Sequence, residues 1–135
     1  MKYFTLNELT YSSMAKQKGI NNTPNATIKA KLVNLVDNIL DPLREAYGKP
    51  IVVTSGYRCP ELNKAVKGAP KSQHVKGEAA DIRTQSDKPE DNKKLFDLAL
   101  KLNLPFDQLI DEYGFNWVHV SFSKGHNRKQ VLHIK

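Results

Sequence analysis

The sequence predicts an α+β domain, a small and mostly antiparallel sheet with helices packed on one side. Three observations carry this: two long stretches with the 3.6-residue period of a helix, period-two alternation through the last third of the chain, and the order helix, strand, helix, hairpin. At 135 residues the chain suits one domain, residues 1–135, around one core.

The N-terminal segment Thr5 to Lys18 reads as a short helix with Leu6, Leu9 and Met14 inward, closed by Gly19. Residues 27–46, "TIKAKLVNLVDNILDPLREA", place Ile28, Leu32, Leu35, Val36, Ile39, Leu40 and Leu43 at steps of three and four, the apolar face of the longest helix. Pro42 lies inside that pattern and is expected to kink the helix or restart it at Asp41, because it lacks the N–H that a helix interior needs. Gly48 and Pro50 close it.

"IVVTSGYR" is a buried strand from Ile51 to Thr54, broken by Gly56, and "PELNKAVKG" a short helix ended by Gly68. "EAADIRT" follows as a second strand, with Ala79 and Ala80 small enough for close packing. "DKPEDNKKLFDLALKLN" is a second clear helix, with Asp87 and Glu90 spaced as a capping box and Leu95, Leu98 and Leu102 as its stripe. "FDQLIDEY" and "WVHVSF" alternate on either side of a turn around Gly114, a hairpin, and "QVLHIK" supplies a last strand.

Composition narrows the function. The hydrophobic fraction of 39% suits a globular protein, and no apolar run approaches the ~20 residues that span a bilayer, so membrane insertion is not expected. "MKYFTLNELTYSS" has no apolar region or cleavage signal of the secretory type. One cysteine, Cys59, excludes an intramolecular disulfide and a multi-cysteine zinc cage, and it has no sequence partner for a catalytic triad. The net charge of +7 is dispersed along the chain. A polyanionic partner, an anionic envelope and plain solubility all fit it, but a nucleic-acid binder would cluster its lysines beside exposed aromatics, so that partner is not expected.

The segment "SQHVKGEAAD" sets His74 and Asp81 with six residues between them, across Gly77. That spacing alone is weak. A tight turn at Gly77 would aim both side chains at one point, and imidazole with carboxylate is a donor set that catalytic zinc prefers. The third ligand candidate is His119: in "WVHVSF" the residues Val118, Val120 and Phe122 share the inward face, while Trp117, His119 and Ser121 share the other. His126 and His133 are expected to be solvated. Without more, satisfied or exposed side chains explain these residues as well as a metal does.

A hydrolytic zinc needs a general base that is not a ligand, and the hairpin offers Asp111 and Glu112. An even turn centred between Gly114 and Phe115 pairs Glu112 with Trp117 and Ile110 with His119, putting Glu112 on the His119 face; an odd turn puts Asp111 there. The even turn is the simpler hairpin and favours Glu112. Arg58, just after the first strand, is either a fork-shaped clamp for a carboxylate or a surface ion pair.

Together, "SGYRCPELNKAVKGAPKSQHVKGEAADI" and "WVHVSF" resemble the zinc peptidases that include D-alanyl-D-alanine carboxypeptidases, vancomycin-resistance D,D-dipeptidases and phage L-alanyl-D-glutamate endolysins. The shared pattern, Ser-x-His, Gly-x-Ala-x-Asp and Trp-x-His, matches Ser72, His74, Gly77, Ala79, Asp81, Trp117 and His119, and "NRKQVL" looks like the short single-domain branch. The resemblance implies zinc held by His74, Asp81 and His119, a substrate carboxylate on Arg58, and Ser72 and Trp117 lining the site. It implies a monomer acting on peptidoglycan stem peptides, as a D,D-carboxypeptidase or an L,D-endopeptidase, and therefore a route to the wall such as phage-type release or non-classical export. Many relatives place the base three residues before the last histidine; that position is Asn116 here, and the short branch looks to carry its acid where Glu112 stands. An inactive zinc-containing wall-binding module is the alternative that Asn116 keeps in view.

Overall fold

The computed structural model describes residues Met1–Lys135. The N-terminal segment forms two helices, α1 (Leu6–Thr10) and α2 (Ser13–Lys18), where the periodicity predicts one. The break falls at Tyr11 and Ser12, both extended, because the Ser12 hydroxyl accepts the Ala15 N–H and caps a new helix. Ala15 therefore takes the buried position and Met14 is only half-buried.

The long helix is present in three parts. α3 (Ala26–Leu35) starts on an Asn25 cap, one π-helical turn covers Val36–Leu40, and α4 (Asp41–Tyr47) ends on the left-handed Gly48. Pro42 cannot donate to the preceding turn, so the ladder widens there and helix resumes at Asp41, as the sequence predicts. Asn38 helps by donating its side-chain amide to the Asn34 carbonyl at 2.8 Å. The apolar stripe survives the π turn: Leu32, Leu35, Val36, Ile39, Leu40 and Leu43 are all buried in the core.

Five strands follow: β1 (Ile51–Ser55), β2 (Ala79–Thr84), β3 (Gln108–Glu112), β4 (Trp117–Ser121) and β5 (Gln130–Ile134), in the order β1-β2-β4-β3-β5. Three pairings are antiparallel, but β5 runs parallel to β3, so the sheet is mixed. The cause is the return of the chain after β4 to the start of β3, where the Lys129 and Gln130 N–H groups donate to the Phe106 and Asp107 carbonyls. Helix α5 (Pro60–Ala65) and the long turn that follows it join β1 to β2, and α6 (Pro89–Lys101) joins β2 to β3.

The predicted capping box of α6 does not form. Asp87 adopts a left-handed conformation, Lys88 is the cap residue, and Ser86 ties the turn by bonding the Lys88 N–H and the Asp91 carboxylate. The helix also turns slightly from the predicted stripe: Asn92, Leu95, Phe96 and Ala99 are buried and Leu102 is exposed. Ala80, Ile82, Leu109, Val118 and Val120 meet the helices in one core, which leaves the residues between them facing the other way.

Candidate metal centre

Register assembles the site. On β2 and β4, Asp81 pairs with His119, so both side chains leave the sheet on the face away from the core. A bulge between Val53 and Ser55 sits beside Asp81 on β1, a device common at the edges of active sites. His74 comes from the turn before β2. Gly77 permits that turn: its φ is +73°, and a Cβ there would meet the Ile28 side chain at 2.8 Å. Gly56 lets β1 end against α1, since a Cβ would meet the Leu9 carbonyl oxygen at 2.2 Å.

The buried His74 ring is oriented by the Gly56 carbonyl, 2.7 Å from Nδ1. A carbonyl only accepts, so Nδ1 carries the proton and Nε2 is left to face the cluster. From there Nε2 lies 3.3 Å from Asp81 Oδ1, and His119 Nδ1 lies 2.9 Å from the same oxygen. The candidate ligand atoms of His74, Asp81 and His119 all fall within 4.8 Å of one another, a span that one cation with bonds of about 2.0–2.2 Å closes with small side-chain movements. Burial pushes the Asp81 carboxyl up, but the hydrogen bonds to His119 and His74 outweigh it and hold the group well below the usual carboxylate range, as an anion. Two imidazoles and one carboxylate with positions left over fit a divalent cation of the zinc kind in a catalytic setting.

The cluster lies in an open, predominantly polar cleft of about 940 Å³ that also contains Arg58, Ser72, Glu112 and Trp117. The Ser72 hydroxyl accepts the His74 N–H at 3.2 Å and the Arg58 Nη2–H at 3.4 Å. Arg58 has no carboxylate within ion-pair distance and its buried Nε has no partner. Burial pushes its guanidinium below the ordinary value, and the charges of Asp81 and Glu112 pull it part of the way back. A half-buried cation in a cleft without its own acid is a ready place for a carboxylate.

The hairpin has the even register, with Glu112 opposite Trp117 and Ile110 opposite His119. Glu112 lines the cleft, and its Oε2 accepts the Trp117 indole N–H at 2.8 Å. Asp111 points into the core side, where it is buried and bonded to His133, whose ring also packs against Phe96. His133 and His126 are both exposed, as the sequence predicts; His133 is in addition a partner of Asp111, and His126 lies at the mouth of the cleft. Cys59 caps α5, its sulfur accepting the Leu62 N–H at 3.5 Å.

Sequence reasoning missed one cluster. Asp107, at the foot of β3, is buried and accepts the Arg128 backbone N–H at 3.0 Å, Arg128 Nε–H at 2.8 Å and Nη2–H at 3.0 Å, and the Gln73 amide at 2.9 Å. The Arg128 hydrogen bonds hold its carboxyl below the ordinary value. Asp107 thereby ties the residue before His74 to the loop after β4. "FDQLI" and "NRKQVL" contained both partners, but no spacing rule joins residues 21 positions apart.

A protein with this sheet, this cleft and a His–Asp–His centre has the build of a metallopeptidase. The family model described as Peptidase M15 matches residues 2–121, nearly the whole chain, and the protein belongs to that family. No curated protein matches the chain.

Proposed function

We propose that this protein is a zinc-dependent peptidase that hydrolyses a bond in peptidoglycan stem peptides next to a free carboxylate. The observation that carries the reading is the pairing, in one cleft, of the His74–Asp81–His119 cluster with the unpaired Arg58. Zinc bound by those three residues would supply an acidified water and a polarised peptide carbonyl. Arg58 would take the substrate carboxylate in a two-point clamp, with Ser72 fixing the guanidinium edge. Glu112, on the same face, would accept the proton of the attacking water and pass it to the leaving amine. A terminal D-alanine carboxylate and the free carboxylate of a D-glutamate both suit Arg58, so D,D- and L,D-hydrolysis are the two forms of the proposal.

The test is mass spectrometry of muropeptides after digestion of purified peptidoglycan, with and without a chelator. Loss of terminal D-alanine identifies the D,D form, and release of stem peptides at L-alanine identifies the L,D form. Glu112→Gln should lower turnover by about 10²–10⁴-fold, the usual share of a general base, with zinc still bound. A parent protein that binds zinc and wall but cleaves nothing would replace this proposal with the binding-module reading.

A further inference from the structure

The end of the β3–β4 hairpin is built to hold one carboxylate still. Glu112 and Trp117 are the last cross-strand pair before the turn, and the Asn116 N–H closes the loop onto the Glu112 carbonyl at 3.1 Å. The turn is anchored from below by Asn92 of α6, which is fully buried. Its amide donates to the carbonyls of Phe115 at 2.9 Å and Asn116 at 3.3 Å, and its oxygen accepts from the Thr84 N–H and hydroxyl, each at 2.9 Å. On the outside, the Tyr113 ring lies against the indole with centroids 5.3 Å apart. Between these supports the indole directs its N–H at Glu112 Oε2, 2.8 Å away.

We infer that Trp117 is a positioning residue for Glu112: its indole N–H locks one carboxylate oxygen and leaves the other, Oε1, to receive the proton in the cleft. A glutamate at a strand end otherwise samples several rotamers, and ordering such a side chain costs up to about 2 kcal/mol. Neutral and donor-only, the indole fixes the carboxylate without adding a charge beside Arg58 and without offering a proton that competes for the reaction. This differs from a substrate-lining role, in which the N–H would be free for the ligand. The inference rests on the reading of Glu112 as the base.

Trp117→Phe retains an aromatic ring over Tyr113 and deletes the N–H. We expect kcat on a stem peptide to fall about 10- to 100-fold, the range for a hydrogen bond to a charged group, with KM little changed. In a Glu112→Gln background the same change should have no further effect. If Trp117→Phe raises KM and spares kcat, or lowers activity equally in both backgrounds, the positioning role is overturned while the base stands. If Glu112→Gln remains active, the base reading falls and takes the positioning role with it. A second measurement does not depend on the variant folding. Trp117 is the single tryptophan, so its indole N–H gives one resonance in the intact protein. Slow exchange of that proton, lost in Glu112→Ala, supports the bond, and fast exchange in the parent overturns it.

Discussion

The two faces of the sheet use the same strands for opposite ends. Toward the helices, Ala80, Ile82, Leu109, Val118 and Val120 are almost wholly removed from water and surrounded by leucines of the long helix and α6. One residue further along each strand, Asp81, Ile110, Glu112, Trp117 and His119 look into an open polar cleft. The first face is held by burial, worth about 1.5–3 kcal/mol per large apolar side chain. On the second, a half-buried aspartate anion and a half-buried arginine without an acid partner are partly removed from bulk water, which opposes folding and is tolerated because the fixed first face supports it. Stability and chemistry are thus separable by residue parity.

The largest break in the comparison should come from His119→Ala on the open face. Activity on peptidoglycan should fall to the level of a chelated sample, a greater loss than for Glu112→Gln, and bound zinc should drop in elemental analysis. The metal-free protein should lose about 1–3 kcal/mol in urea unfolding, because the lost ring is a hydrogen-bond partner of the Asp81 carboxylate. On the opposite face, Ile82→Ala should do the reverse. It should cost about 2–5 kcal/mol in urea unfolding, with zinc content per folded molecule preserved.

A smaller effect tests the seam between the faces. Asp107→Ala removes the acceptor shared by Arg128 and Gln73 and should cost about 1–3 kcal/mol, the range for buried polar groups that lose a partner. The Arg128 side chain is 59% exposed, so its Coulomb attraction adds little beyond that. Because the folded chain depresses the Asp107 pKa, its contribution is present at neutral pH and is lost as pH falls through the folded value. The gap between parent and variant in urea unfolding should therefore narrow below about pH 4.

How much of this was legible depended on the distance between cause and consequence along the chain. The helix stripe from Leu32 to Leu43 and the alternation in "WVHVSF" are local signals, and both appear as read. The even turn is favoured in the sequence only as the simpler hairpin, with the odd turn left open, and the register has the even one. Local competition misled at Ser12, where a cap outweighed helix continuity, and at Asp87, where a left-handed turn displaced the capping box. The parallel β5 and the Asp107–Arg128 tie depend on where the chain returns in space, which no periodicity encodes. For the centre itself, spacing alone left His74 and Asp81 ambiguous until β-register brought Asp81 to His119.

The finest test exchanges two neighbours. Asp111 and Glu112 are adjacent acids of similar chemistry, yet one is buried against His133 of β5, whose ring packs on Phe96 of α6, and the other lines the cleft. Asp111→Asn keeps the shape and one acceptor for His133, so it should lower stability by about 0.5–1.5 kcal/mol and leave kcat unchanged. Glu112→Gln should leave the urea midpoint unchanged and remove most of the turnover. If Asp111→Asn were the variant that lost turnover, the hairpin in solution would have to be offset by one residue, which would reverse every inside and outside assignment on β3.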